Sequence, residues 1–343
     1  VTVWDTGQPV TVEGGSGSDT FHIASVTSAS TGPLTIHAGS GDDTLAVGDA
    51  DSSAQDVHGS VTFCGGPGHD VAHVYGLAAD GSVWFQGDAG DDVLHNYQFF
   101  TYTGGASGYT TQFIDGPVLF FGGDGTDGVV IRQTLVQATA NTVTFDCSAA
   151  PGYGQVMGHI GGLEMAQGVW YDAEEVSAQL QGGPDSADHV YIEATGEGLQ
   201  TLTVEGGSYA DRFHVGEATG SSLSRIHGHL LLCGGDAAED GYEDSLNIDA
   251  ADDTSGWNDI LLTSTHFSGM GLPGIVAFSN IAWVTVTPGL GADEIRFESV
   301  PYMVYPDGYG RITSHAAINH LDENDIVFMT PEVAPQEGTW RLN

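Results

Sequence analysis

The segment Val10-Thr11-Val12-Glu13-Gly14-Gly15-Ser16-Gly17-Ser18-Asp19-Thr20-Phe21-His22-Ile23 decides how the rest of the chain is read. Val10 and Val12, then Phe21 and Ile23, alternate with polar residues, so each half is a strand with one apolar face. The glycines between the halves mark a bend in which a missing Cβ permits positive φ. One such unit cannot bury its own apolar face, but a stack of like units can.

The unit recurs. Further copies centre on Gly39, Gly41 and Asp43; on Gly65, Gly66, Gly68 and Asp70; on Gly87, Gly90 and Asp92; and on Gly122, Gly123, Gly125 and Asp127. After a gap come Gly182, Gly183 and Asp188, then Gly206, Gly207 and Asp211, then Gly234, Gly235 and Asp244, and finally Gly289, Gly291 and Asp293. The eighth bend is long and acidic, with Asp236, Glu239, Asp240, Glu243 and Asp244. Successive aspartates lie 24, 27, 22, 35, 61, 23, 33 and 49 residues apart. Most of these spacings suit one rung of a parallel stack, and the two longest leave room for degenerate rungs. Residues 129–136, 142–145, 260–262 and 275–278 supply strand-like patterns in those gaps. No window carries a 3.6-residue apolar stripe of helix length. The chain therefore reads as all-β, a parallel β-helix or β-solenoid of about 13 stacked rungs with Gly/Asp-rich turns. Residues 1–300 are expected to form the repeat domain. Residues 301–343 are expected to hold a degenerate terminal rung over 321–328 and an extended C-terminal arm over 330–343.

Composition narrows the partners. Of 343 residues, Lys and Arg total 6, every one of them Arg, against 46 Asp and Glu, a formal charge of −40. Such a surface repels nucleic-acid phosphate and anionic lipid headgroups, so nucleic acid is excluded as a partner. Apolar runs are too short for a transmembrane helix, and no membrane insertion is expected. A 40% hydrophobic content separates the chain from acidic disordered tails. No basic and apolar leader opens the sequence, so any signal peptide lies outside it. Three cysteines, Cys64, Cys147 and Cys233, do not make a disulfide scaffold, and no Cys-x-x-Cys spacing occurs.

Residues Gly14 to His22 fit the G-G-x-G-x-D-x-hydrophobic-x nonapeptide, and the chain thereby resembles RTX calcium-binding repeats, as do its copies at Gly65 and Gly122. In RTX proteins the nonapeptide stands in direct tandem, whereas here it occurs once per longer rung. Segments such as Gly39-Ser40-Gly41-Asp42-Asp43-Thr44-Leu45, interleaved with Leu261 to Gly271, are similar to those of large secreted β-solenoid repeat proteins of microbes. The likeness covers residues 1–300. It implies an extracellular or cell-surface structural role and no particular chemistry.

The candidate site is the series of bend aspartates: Asp19, Asp43, Asp70, Asp92, Asp127, Asp188, Asp211, Asp244 and Asp293, strengthened by the doubled acids Asp42 and Asp91. Stacked, they would form a column. One reading makes them Ca2+ ligands, because hard cations take carboxylate and carbonyl oxygens. The other has each carboxylate accept hydrogen bonds from bend N–H groups. His22, His73, His95 and His214 fall three residues after a bend aspartate and point outward; His73 and His95, in consecutive rungs, are a soft-metal pair or plain surface residues. Thr11, Thr35, Thr62, Thr203 and Thr285 form an outward row, interrupted by Trp84 and Leu119, that suits an ice, mineral or glycan ligand, or simply reflects strand propensity. Cys64 and Cys233, each before a Gly-Gly pair, are expected on the outside, where thiols crosslink subunits or stay unpaired. Aromatic residues from Phe99 to Tyr109, with Trp170 and Tyr171, are a candidate sugar or subunit contact.

The function expected from these features is non-catalytic: a calcium-stiffened β-solenoid subunit of a surface layer, fibre or adhesin, self-associating end to end. The alternatives are a polysaccharide-, ice- or mineral-binding module, or a parallel β-helix polysaccharide-degrading enzyme. Against the enzyme, there is no Lys, the arginines are scattered, and neither Gly-x-Ser-x-Gly nor His-Glu-x-x-His occurs.

Overall fold

The computed structural model describes residues 1–3, 8–24, 32–48, 57–98, 100–102, 109–111, 114–133, 142–152, 155–162, 165–181, 187–216, 223–235, 243–251, 253–298, 315–318, 326–329 and 339–342. Gly182, Gly183, Asp236, Glu239, Asp240, Phe99 and most of the terminal segment lie outside them. The protein is all-β with long sheets of parallel strands, an arrangement consistent with a β-helix. A 3-10 turn at Leu223–Arg225 is the only helical element among the described residues, so none there is long and apolar enough to cross a membrane. The chain divides into two compact units.

The first unit holds Val1–Leu135 and Cys147–Gln179. One of its sheets runs β1 (Thr2–Val3), β3 (Thr20–Ile23), β5 (Thr44–Val47), β7 (Val71–Val74), β9 (Val93–Gln98), β13 (Gly128–Gln133) and β17 (Glu175–Gln179), all parallel. The other runs β2 (Val10–Ser16), β4 (Leu34–Ser40), β6 (Gly59–Pro67), β8 (Gly81–Ala89), β12 (Val118–Asp124) and β16 (Met165–Asp172), also parallel. Strand β15 (Val156–Gly162) adds to β16 in the antiparallel sense, and β10 (Phe100–Tyr102) pairs with β11 (Tyr109–Thr111) as a separate hairpin. Strand, Gly-rich bend and strand thus carry the chain from one sheet to the other at most repeats, and between β16 and β17 a bend without glycine does so.

Alternation does the rest. In β4, Leu34, Ile36 and Ala38 are buried while Thr35 and His37 between them are not. Register then stacks like on like: Ile36 beside Phe63, Phe63 beside Phe85, Phe85 beside Phe120, Phe120 beside Tyr171. The Phe63 and Phe85 rings lie 5.3 Å apart, Phe85 and Phe120 5.1 Å, and Phe21 from the opposite sheet reaches Phe63 at 6.1 Å. Each such ring contributes about 1.5–3 kcal/mol by leaving water.

The second unit holds Val136–Asp146 and Leu180–Asn343. Parallel to one another are β14 (Thr142–Ala149, here up to Asp146), β18 (His189–Ile192), β20 (Arg212–Val215), β22 (Ser245–Asp249), β26 (Trp283–Thr287), β28 (His315–Ile318) and β30 (Thr339–Leu342). Its other sheet orders β19 (Thr201–Glu205), β21 (His229–Cys233), β25 (Val276–Ser279), β24 (His266–Ser268), β23 (Ile260–Leu262), β27 (Glu294–Phe297) and β29 (Ile326–Met329). Only β24 runs against its neighbours.

The long aspartate spacings are filled in two ways. Between Asp127 and Asp188 stand an added parallel repeat, β16 to β17, and the β15 hairpin. Between Asp244 and Asp293 the meander β23-β24-β25 replaces a simple rung. Residues 301–314, 319–325, 330–338 and 343 of the expected terminal segment lie outside the described residues, and within it β28, β29 and β30 pair in parallel with the strands before them.

Candidate functional site

Eight of the nine bend aspartates are inside the protein, and Asp19, in the first repeat, is half-buried. Asp43, Asp70, Asp92, Asp188, Asp211 and Asp244 are fully buried, with Asp127 and Asp293 within 2% of it. Their carboxylates do one shared job. At the bend, each aspartate N–H points at the following repeat, where no backbone carbonyl meets it, and a buried N–H without a partner is costly. The next aspartate fills the place. Asp19 N–H donates to Asp43 Oδ1 (2.7 Å), Asp43 to Asp70 (2.8 Å), Asp70 to Asp92 (2.7 Å) and Asp92 to Asp127 (2.8 Å). In the second unit Asp188 donates to Asp211 (3.0 Å) and Asp211 to Asp244 (2.6 Å). The same residues' carbonyls accept from the next repeat, as Asp70 O does from Val93 N–H at 2.9 Å. Hydrogen bonds to a charged acceptor contribute about 1.5–3 kcal/mol each.

The bend aspartates do not make the single column the spacing suggests: those of the first unit precede strands of the sheet that holds β3, whereas Asp188, Asp211 and Asp244 precede strands of the sheet that holds β18. Asp127 N–H finds Glu174 Oε2 at 2.9 Å, in a bend that has no glycine and that the motif therefore did not reveal. The 61-residue gap between Asp127 and Asp188 is the one sequence signal that leaves room for it. Asp293 belongs to a different edge of the second unit: it takes Trp257 N–H at 2.8 Å and follows β26, which shares a sheet with the strands that follow Asp188, Asp211 and Asp244.

The doubled acids work in the opposite direction. Asp42 Oδ1 accepts from His69 N–H (3.0 Å) and Asp91 Oδ1 from Thr126 N–H (2.9 Å). Consecutive repeats are thus held by reciprocal bonds, Asp43 reaching forward to Asp70 while His69 reaches back to Asp42. His69 takes the same role in its repeat, with Nδ1 3.1 Å from Asp91 N–H.

The glycines follow from the carboxylates. A Cβ on Gly65 would fall 2.0 Å from Asp70 Oδ2, and one on Gly87 2.1 Å from Asp92 Oδ2. The next glycine is closed by the repeat before it: a Cβ on Gly39, at φ +115, would stand 2.0 Å from Gly15 O.

The second oxygen is left over. Oδ2 of Asp43, Asp70, Asp92, Asp127, Asp211 and Asp244 is buried without a hydrogen-bond partner. Burial raises the carboxyls of Asp70 and Asp92 to about 6, with neighbouring carboxylates adding and the received N–H bonds opposing. Asp211 is pushed up to about 8 by burial, then by Asp244 and Asp188, and Asp244 to about 7 by burial. Two ionised carboxylates one strand spacing apart repel by about 3 kcal/mol at an effective dielectric near 20. Calcium takes six to eight oxygens, and no group of three or more His, Cys, Asp or Glu is placed to hold a metal among the described residues. The inner row offers single unengaged oxygens, at Asp43, Asp70, Asp92, Asp127, Asp211 and Asp244, rather than a cage.

Other sequence candidates sort by register. His73 and His95 pair across β7 and β9 with rings stacked at 5.0 Å, and Tyr75 and Tyr97 join the stack, Tyr75 lying 5.0 Å from Tyr97. Burial lowers both imidazoles, His95 to about 4 with His73 and Arg132 assisting. Face-to-face rings do not converge on one ion, so the geometry is that of a packed aromatic ladder. His214 stacks on Tyr191 in the same manner at 4.9 Å, and His22 Nε2 lies 3.3 Å from Gly48 O. Thr11, Thr35 and Thr62 share a row that then passes to Trp84, Leu119 and Trp170. Ala150 and Met157 cover Leu119 and Trp170, and Trp170 Nε1 donates to Ser148 Oγ at 2.9 Å. Thr203 stands beside Leu231 and Thr285 beside Asn247, so neither extends the threonine row. All three cysteines are half-buried and none of them forms a disulfide. A concavity of about 520 Å3 lies on the second unit, where Leu231, Cys233, His266 and Ile275 border the small Ala277.

Comparison with family models, curated proteins and solved structures finds no match to the chain.

Proposed function

We propose that the protein is a parallel β-solenoid with a structural, non-catalytic role outside the cell, as a subunit of a surface layer, fibre or adhesin. One observation carries this reading. The acidic residues that a catalytic or lectin reading would need are already engaged in binding each repeat to the next, from Asp19 through Glu174 and from Asp188 to Asp244. The chemistry of the bends is invested in their own stacking, and the outward strand faces carry rows such as Thr35, Thr62 and Trp84 and the stacked His73, His95, Tyr75 and Tyr97.

Calcium stiffening is a second reading, favoured by the orphaned Oδ2 atoms and by a chain with no Lys and six Arg. The row's charge is met by protons or by cations, and Ca2+ is the hard cation that saline surroundings supply. Melting curves at pH 8 with added Ca2+ and with chelator separate the two. A rise with Ca2+ that chelator removes supports calcium; a midpoint indifferent to both, yet rising on acidification, assigns the role to protons. The scaffold reading itself fails if aspartate-to-alanine changes in the row leave melting unchanged.

A further inference from the structure

The alternation that builds the second unit breaks at two neighbouring places. In β21, Leu230 and Leu232 are buried, and Leu231 between them points outward, 40% exposed. Two residues before Ala277 of β25, Ile275 does the same at 37%. Outward places on the adjoining strands carry polar residues instead, such as Thr201 and Thr203 on β19 and His266 and Ser268 on β24. Leu231 and Ile275 therefore add apolar surface where the core gains nothing from it.

The two residues share one trough. Register sets Thr203, Leu231, Ala277 and His266 side by side across four strands. Ala277 contributes only a methyl, so the flanking Leu231 and His266 stand two strand spacings, about 10 Å, apart over a low floor. Along β25 the floor runs from Ile275 past Ala277 to Ser279, because every second side chain shares a face. Cys233 borders it beside Ser279. The space is about 520 Å3, a volume that suits a small molecule. Its far wall is fixed in place: His266 Nδ1 lies 2.8 Å from Thr263 Oγ1, which also accepts from the N–H groups of Thr265 and His266. An apolar hollow with a polar rim and a preformed wall is the form of a ligand site.

Charge selects the ligand. Among the described residues that line the hollow, Glu205 is the one carboxylate and there is no arginine. The chain as a whole carries −40, so an anion is repelled and a cation drawn in. We propose that this hollow binds a small apolar amine, its hydrocarbon body against Leu231, Ile275 and Ala277 and its ammonium at the Glu205 rim. The site lies wholly in the second unit. It goes beyond the scaffold reading and does not depend on it.

The test uses the full chain with Cys64 and Cys147 replaced by serine, which leaves Cys233 as the only thiol. Titration is run at about 0.15 M salt, where exposed charges more than about 8 Å apart are largely screened. Fluorescence of naphthylmethylamine should show saturable binding, with naphthylmethanol weaker and naphthoic acid weakest, and the bound amine should slow alkylation of Cys233. Ala277→Leu, which fills the floor, should weaken the amine about tenfold or more. Glu205→Gln should weaken it about two- to fivefold, the range of an exposed ion pair, and leave the alcohol unchanged. Leu231→Ser, at an exposed position, is the second variant should Ala277→Leu not fold. No saturation at millimolar amine overturns the proposal, as does an acid that binds as tightly as the amine, or binding that the floor and wall variants leave unchanged. Sedimentation that shows copies associated over a trough no probe enters assigns the hollow to a second copy and overturns the amine. Each of these results leaves the scaffold reading intact, since that reading is judged by the melting of aspartate variants.

Discussion

Asp92 N–H donates to Oδ1 of Asp127, 35 residues further along, at 2.8 Å. A backbone donor in one repeat is satisfied by a side chain in the next, at the one place where strand-to-strand pairing breaks off. The bond needs an acceptor of the right length, whereas the charge it brings is a cost that burial enlarges. Substitutions that separate shape from charge should therefore behave differently.

Asp127→Ala leaves the Asp92 N–H buried and unpaired and should lower stability by about 1–3 kcal/mol. Asp127→Asn keeps an oxygen in place and removes a buried charge whose carboxyl burial has already raised. At neutral pH it should unfold close to, or above, the wild type in chemical denaturation. Equal losses in the two variants would contradict this account of the row.

Stability should fall as pH rises. The Asp211 carboxyl, ordinarily at 3.8, sits at about 8 in the fold, and Asp244 at about 7. The folded state thus binds more protons than the unfolded one between these values, and the contribution is full below pH 3.8 and lost as pH climbs through 8. The overall charge of −40 pushes the same way. The variant Asp211→Asn isolates the site: its melting temperature should decline less between pH 5 and pH 8 than that of the wild type, and parallel curves would remove Asp211 as the cause.

How far the sequence disclosed this follows from what each residue type signals. Period-two alternation and paired glycines are local, so the strands and bends around Asp19, Asp43, Asp70, Asp92 and Asp127 were readable without coordinates. The inward direction of those aspartates was not, because a polar residue after a glycine bend suits an exposed turn equally well. Glu174 escaped because its bend lacks glycine: no carboxylate of the aspartate kind folds back onto the chain there, and the longer side chain reaches Asp127 N–H instead. The threonine row broke at Thr203 and Thr285 because row membership depends on register between distant strands, which spacing in a chain with hairpin insertions does not fix. Asp293 stands on the bend from β26 to β27, opposite in sheet sense to the bends of Asp211 and Asp244, a difference that spacing along the chain does not register.

Gly39→Ala and Gly15→Ala should differ widely although the two backbones are alike, at φ +115 and +108. Both pay the left-handed penalty of about 1–2 kcal/mol. Only the methyl at position 39 meets Gly15 O, at 2.0 Å, a contact that backbone alone must relieve. Gly15→Ala should fold with a modest drop in melting temperature, and Gly39→Ala should lose more than about 4 kcal/mol or fail to fold. Similar losses would mean that the repeats stand further apart than the bend geometry requires.

Cys64 should be a slow thiol. Its row runs His37, Cys64, Gln86, with Sγ donating to Gln86 Oε1 at 3.7 Å. Burial raises its pKa, and the Asp88 carboxylate raises it further, so the thiolate that reacts is scarce at neutral pH. In alkylation kinetics at pH 8 with Cys147 and Cys233 replaced, the folded chain should react more slowly than the same chain in denaturant. Asp88→Asn should speed the reaction while keeping the positive φ of 79 that asparagine tolerates. Rates equal to the denatured chain would place the thiol in open solvent and restore it as a candidate for crosslinking between copies.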